Sequence, residues 1–290
     1  FSDSHFCVSM YDMRGCGRRG GKRGHMKHNV QSLVDMLTIV EKTRDHLYQL
    51  SGHSTLHQNN NQNSSQNSSQ NGSGSGSGFE MPPVYLYGHG IGSVRQLQLA
   101  LIVSVMRKHK QANSGNSDAN GENSTMVREA LDRNVLFPLL GWDLNGTKLD
   151  DDDELMLNHL HRLLLEFEPA IRGIVSTSPY LKVDFPNWQK KVVGFLAKRF
   201  QTYTIELDVN VTMLTSDLNM QKILLRDTLR VGDLTARNVM DLEKWINVLM
   251  MRDGGAVASQ ITLPILTLHG ARDGVSDGTI SQRLNEMLGS

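Results

Sequence analysis

Three observations predict an α/β fold built on a mostly parallel sheet. Short apolar runs of strand length alternate with segments of helical periodicity, the runs are almost continuously apolar, and the chain is long enough to bury one sizeable core, with 290 residues and 39% hydrophobic content. Strands that are short, apolar and separated by helices belong in a sheet covered on both faces.

In chain order, Cys7-Val8-Ser9-Met10-Tyr11 reads as the core of a strand over 6–11, followed by a helix over 30–50. A strand over 83–87 runs into a helix over 91–106, and further strands are expected at 171–176 and 264–268. The last helix, 278–288, carries Ile280, Leu284, Met287 and Leu288 on one face. The strand over 84–87 is expected at the centre of the sheet, parallel to the two later strands.

Two segments interrupt this alternation. Every residue from Gln58 to Gly78 is Gln, Asn, Ser or Gly, a composition that buries too little apolar surface to offset the entropy of ordering it, so a disordered insertion is expected over 54–78. A polar and acidic insertion is expected over about 107–153, ending in the run Asp150 to Glu154, which suits a helix N-terminus. Residues 182–252 show no obvious strand but several amphipathic patterns, notably Phe185, Trp188, Val192, Phe195 and Leu196. They read as extra helical core or as a helical cap over a substrate site.

Bulk charge removes several partners from consideration. The 30 basic and 30 acidic side chains balance, so no global field draws nucleic acid. Cys7 and Cys16, nine residues apart and without metal-ligand spacing, read as free thiols of a reducing, cytoplasmic compartment. The longest apolar stretch, Leu97 to Met106, is broken by Gln98 and Ser104 and is far shorter than the ~20 residues of a membrane span. A soluble protein is expected. The chain opens on Phe1 with a strand almost at once, the pattern of a fragment, so the lack of a signal peptide carries no weight.

The chemistry centres on Gly88-His89-Gly90-Ile91-Gly92, which comes directly after Val84-Tyr85-Leu86-Tyr87 and opens the helix from Val94 to Met106. Strand, sharp glycine turn and helix form the context of a nucleophile elbow, G-x-S-x-G, with glycine at its centre here. A phosphate-binding loop wants G-x-G-x-x-G or a Lys-Ser/Thr pair next in sequence, whereas Ser93 and Val94 stand there.

Three further segments agree in order and type with one family. Asp12-Met13-Arg14-Gly15-Cys16-Gly17 and Gly20-Gly21-Lys22-Arg23-Gly24-His25 resemble the D-x-R-G-x-G and G-K-R-G-H stretch of monoglyceride lipases. Ile174-Val175-Ser176-Thr177-Ser178-Pro179 is similar to their apolar-S-S-P strand end. Pro264 to Asp273, ending His269-Gly270-Ala271-Arg272-Asp273, is similar to their H-G-x-x-D turn. The chain thus resembles an α/β-hydrolase of the monoglyceride lipase and serine aminopeptidase kind. The resemblance implies a single α/β-hydrolase domain over 1–290, incomplete at both ends, with a helical cap over about 182–252.

It also implies the site. Gly90 stands at the nucleophile position, Asp273 at the aspartate position, and the Ile91 amide is the recognisable oxyanion donor. The family's oxyanion loop falls upstream of Phe1 and its histidine beyond Ser290, so only the aspartate role of the triad is filled. Asp273 has a plainer reading as a turn-capping residue. His89, His25 and Arg14 read as structural, His269 as serving its turn, and Ser93 as facing away from the elbow tip. None of the eleven histidines is marked out by spacing as a substitute base.

The resemblance therefore implies an acylglycerol lipase-like fold, acting in the parent on monoacylglycerol or similar lipid esters, and inactive in this chain. The alternatives are a non-catalytic pseudohydrolase that binds a lipid or protein, and a peptidase acting on N-terminal residues, which needs an amine-binding pocket. No cofactor or metal is expected. The expected partners are a lipid ester or other small acyl substrate, and a membrane or lipid-droplet surface touched through the cap.

Overall fold

A computed structural model describes residues 6–50, 81–113, 151–183, 185–207, 209–251 and 257–288. The expected disordered insertion over 54–78 lies outside them, as does most of the polar insertion.

Three strands form the main sheet: β1 (Val84–His89), β2 (Ile171–Thr177) and β5 (Ile265–Leu268), in the order β1-β2-β5. Both pairings are parallel, with Leu86 opposite Ile174 and Val175 opposite Leu266. The expected parallel sheet is therefore present, but β2 occupies its middle and β1 an edge among the described strands. The reason lies in burial: β2 is buried at Ile171, Gly173, Ile174 and Ser176, whereas Tyr85 and Tyr87 of β1 are exposed.

The strand expected over 6–11 does not form. That segment pairs with no described strand, and Phe6, Val8 and Met10 are exposed, so its apolar alternation has no sheet face to lie on. Only Tyr11 packs on the core.

Helix α1 (Val30–Leu50) buries Val30, Leu33, Leu37 and Val40 at helical spacing and packs against α3 (Asp151–Phe167), which answers with Leu160, Leu163, Leu164 and Phe167. Asp151 to Glu154 fill the first turn of α3, where the helix dipole favours carboxylates, and Asp153 also pairs with Lys27 and His28.

Helix α2 (Ile91–Asn113) is buried on nearly every side from Ser93 to Met106 and lies against β1 and β2. It runs past the boundary at which an insertion is expected, because Arg107 and Lys110 have structural work there. Arg107 donates to the Glu168 carboxylate and to the carbonyls of Glu168 and Ile171, while Lys110 takes the other Glu168 oxygen. Burial alone would raise the Glu168 carboxyl, but these two cations outweigh it and hold it below the ordinary glutamate range.

Between β2 and β5 lie α4 (Asn187–Arg199), β3 (Thr204–Glu206), α5 (Val211–Leu214), α6 (Leu218–Arg226), β4 (Asp233–Thr235) and α7 (Ala236–Met251). The helices are as expected; the antiparallel β3-β4 ribbon, which pairs Ile205 with Leu234, is not. Three-residue strands leave no readable alternation in the sequence. Val193 and Ala197 of α4 join Ala236 and Val239 of α7 in a small second core, while Leu242, Trp245, Ile246 and Leu249 of α7 belong to the main one. Helix α7 therefore carries both cores.

The chain closes with α8 (Gly278–Leu288), which buries Leu284 and Met287 as the periodicity predicts. The Trp245 indole N–H donates to the Val94 carbonyl in the first turns of α2, at 3.3 Å, and its ring is fully buried. Trp245→Ala should therefore cost about 3–5 kcal/mol in chemical denaturation, as for other buried aromatic truncations. A loss under about 1 kcal/mol would contradict this account of α7.

Candidate active site

Gly90 leaves β1 with φ +56°, the left-handed region, and a β-carbon placed there would meet no atom within 4 Å. The turn is held from both sides: the Gly90 amide donates to the Thr177 carbonyl at 3.0 Å, and the Gly90 carbonyl accepts from the Tyr180 amide at 3.2 Å. It thus has an elbow's backbone and free space at its tip, with no side chain. Gly88 is required for a different reason, since a β-carbon there would sit 2.7 Å from the Ser93 amide. Gly92 faces open space, so closeness does not explain it.

Ser93 is fully buried, and its hydroxyl donates to the Gly88 carbonyl at 2.7 Å and accepts from the Thr177 amide at 3.2 Å. It staples the ends of β1 and β2 together, and both its donor and its acceptor are occupied in doing so. His89 is exposed, with Nδ1 3.1 Å from the Thr177 hydroxyl.

At the end of β5, Asp273 uses Oδ1 to accept from the Val275 and Ser276 amides at 2.8 and 2.9 Å, the pattern of a turn-capping aspartate. Its Oδ2 stands 3.6 Å from His269 Nε2. Burial pushes this carboxyl up, but the two amides, the Ser178 hydroxyl and His269 together hold it below the ordinary aspartate range.

Both ring nitrogens of His269 are engaged, Nε2 with the Ser276 carbonyl at 3.1 Å and Nδ1 with the Ser281 hydroxyl at 2.9 Å. A carbonyl only accepts, so Nε2 carries the proton. The ring therefore braces the loop from Gly270 to Ser281.

The glycine-rich loop after residue 12 holds the site from the side. Arg14 meets Asp35 through two bonds, Nε to Oδ2 and Nη2 to Oδ1, and Arg19 adds a third. Lys22 and Arg23 donate to the carbonyls of Thr202 and Thr228, and the Gly24 carbonyl accepts from Thr235 and Asn238. His25 Nδ1 lies 3.2 Å from the Thr235 hydroxyl, and burial, with Lys22 and Arg237 nearby, lowers its pKa. This loop joins the α1 side of the molecule to the segment between β2 and β5.

Gly90, Ile91 and Asp273 line one cavity of about 790 Å³, within the range of small-ligand pockets. Leu207, Val209 and Met213, from the expected cap, line it too. Among the lining residues that sequence reasoning did not assign to the site, Ser178, Tyr180 and Arg95 stand out. Ser178 adopts φ +40°, unusual for a residue with a side chain, and Tyr180 lies two residues on. Arg95 is buried one turn into α2, and its sequence signal is that it is the one charged residue between Ile91 and Met106. Among the described residues, no group of three or more His, Cys, Asp or Glu is placed to hold a metal, both cysteines are free, and no helix is long and apolar enough to cross a membrane.

Residues 159–290 match the Hydrolase_4 family, described as serine aminopeptidase, S33. The fold matches that of a monoacylglycerol lipase from Paleococcus ferrophilus, with a TM-score of 0.51 at 15% identity, over 95% of this chain and 66% of that one. It matches equally a soluble variant of monoglyceride lipase from Saccharomyces cerevisiae, solved with a substrate analog, with a TM-score of 0.51 at 15% identity, over 95% and 62% of the two chains. This chain thus spans somewhat under two thirds of the length of those lipases. No curated protein sequence matches it.

Because its pKa is depressed on folding, Asp273 contributes stability that is complete above the unfolded carboxyl value of about 3.9 and is lost as pH falls through the lower folded value. The stability advantage of the native chain over Asp273→Ala, measured by denaturation at a series of pH values, should be full at neutral pH and fade below about pH 4. An advantage that grows in acid would refute the hydrogen-bond account.

Proposed function

We propose that this chain, an α/β-hydrolase fold whose residues 159–290 match the serine aminopeptidase family, binds an acyl lipid in the cavity at Gly90 and does not hydrolyse it through a serine triad. The observation that carries this reading is the elbow itself. Its left-handed turn and open tip are intact, while the position that would hold an attacking oxygen is glycine. The lipase neighbours support a lipid ester as the chemical class of ligand.

The remaining triad roles point the same way. Asp273 commits one oxygen to its own loop, and His269 is engaged through both nitrogens. His89 is the histidine on the described cavity lining, and its ring is turned to Thr177. The Ile91 amide, at the start of a long helix, suits the oxygen of a bound acyl group as well as it would an oxyanion.

Contact with a lipid surface has its own support in the cap segment. Trp188, Val192 and Phe195, the stripe read in the sequence as helical core or cap, are 65%, 48% and 62% exposed on α4. Helix α6 buries no residue and exposes Leu218, Ile223 and Leu225. Large apolar side chains left in water along a helix favour transfer to an interface.

The native chain should show no covalent labelling by fluorophosphonate probes, and Gly90→Ser should add none, since the histidine of the described cavity lining, His89, has its ring turned to Thr177. The same variant should lose about 1–2 kcal/mol of stability, because a β-carbon is strained at positive φ. Robust labelling of either protein would overturn the non-catalytic reading. Trp188→Ser with Phe195→Ser should weaken sedimentation with phosphatidylcholine vesicles several-fold; unchanged sedimentation would remove the surface-contact proposal.

A further inference from the structure

One buried cation in the cavity is left with idle donors. Arg95 is 2% exposed, yet its Nε and Nη1 make no hydrogen bond among the described residues. The carboxylate acting on it through space, Asp241, already binds Arg237 at 3.1 Å. Burial draws the guanidinium down to about 10, so it stays charged at neutral pH. A buried cation without full compensation is costly, and a packed apolar side chain would serve the core better.

Its place suggests why it is there. Arg95 lines the cavity one turn after Ile91 and Gly92, the first residues of α2, where the helix dipole and unpaired amides favour negative charge. Asn238 of α7 lines the same cavity with its side-chain oxygen unpartnered among the described residues, although its amide nitrogen holds Gly24. The other charges there are accounted for: Arg14 is bound to Asp35, Arg272 is exposed, and the Asp273 carboxylate accepts from two amides. The walls add apolar surface from Met26, Leu207, Met213 and Leu242.

We infer that this cavity selects single-chain lipids with an anionic head, a carboxylate or a phosphate, which Arg95 receives at the N-terminus of α2. The inference rests on the acyl-binding reading above and adds the charge of the ligand to it. A guanidinium with donors left over can give a charge-assisted hydrogen bond to either oxyanion, and the Asn238 side-chain oxygen can accept from a hydroxyl of the ligand.

The test is calorimetric binding of four probes to the full chain and to Arg95→Met and Arg95→Lys: oleate, oleoyl lysophosphatidate, a non-hydrolysable ether analogue of monoolein, and inorganic phosphate. The native chain should bind at least one anionic lipid ten-fold or more tighter than the neutral ether. Arg95→Met should lose that ten-fold and keep its affinity for the ether, while melting at a higher temperature because an unpaired charge is gone. Arg95→Lys, which keeps the charge without the fork, should retain part of the preference and guards against a misfolded Met variant. Tighter oleate alone identifies a carboxylate ligand, and tighter lysophosphatidate alone a phosphate. Equal binding of anionic and neutral lipids, or a preference that survives Arg95→Met, overturns the inference and leaves the acyl pocket standing. Failure of every lipid to bind overturns the acyl pocket itself, and phosphate binding without any lipid overturns the lipid class.

Discussion

The passage from β1 into α2 is the constraint on which the rest of the structure depends. A strand at the edge of the described sheet must turn within a few residues into a helix buried on nearly every side. Gly90 makes the turn in the left-handed region, and the Gly90 amide and the Ser93 hydroxyl tie it to Thr177 at the end of β2. With those bonds in place, the α2 axis is set against β1 and β2, the first residues of α2 face the cavity, and Arg107 and Lys110 reach Glu168 at the other end of the helix. One tight turn therefore orients core packing and site together.

Helix α7 and the glycine-rich loop after Asp12 carry that order outward. The first turns of α7 complete a small core with α4, and its later turns enter the main core through Trp245, which bonds to Val94 of α2. The loop, anchored on Asp35 through Arg14 and Arg19, reaches the main chain of Thr202, Thr228 and Thr235. The loop thus reaches the segment between β2 and β5 largely through main-chain groups, which tolerates changes in that segment's surface side chains, while α4 and α7 fix it by packing. That freedom fits a face that leaves Trp188 and Phe195 in water.

Charge is treated in two ways in this molecule. Asp35 and Glu168 are buried carboxylates, each met by two cations, so their desolvation is offset within the fold. Arg95 is buried as deeply, and its Nε and Nη1 find no acceptor among the described residues. The contrast separates charges that hold the fold from one that the fold alone does not explain.

Fold class, the two core parallel strands after β1, the helices at 30–50 and 278–288, and the tight glycine turn at Gly90 were all legible in the sequence, because each rests on local signals: apolar periodicity, glycine turns and short motifs. The match to the serine aminopeptidase family and to monoglyceride lipase folds agrees with the resemblance that those motifs carry. Tertiary structure decided what depends on partners far along the chain. Among the described residues, 6–11 have strand composition but no neighbouring strand, β1 lies at an edge of the sheet and not at its centre, and the β3-β4 ribbon exists because Ile205 meets Leu234. Pairing and burial are properties of two segments at once, and no window of one segment contains them. The same holds at the site: sequence alone determined that position 90 has no nucleophilic oxygen, whereas only the packed structure placed Asp273, Arg95 and Asn238 around one cavity and left a buried guanidinium there with donors unmet among the described residues.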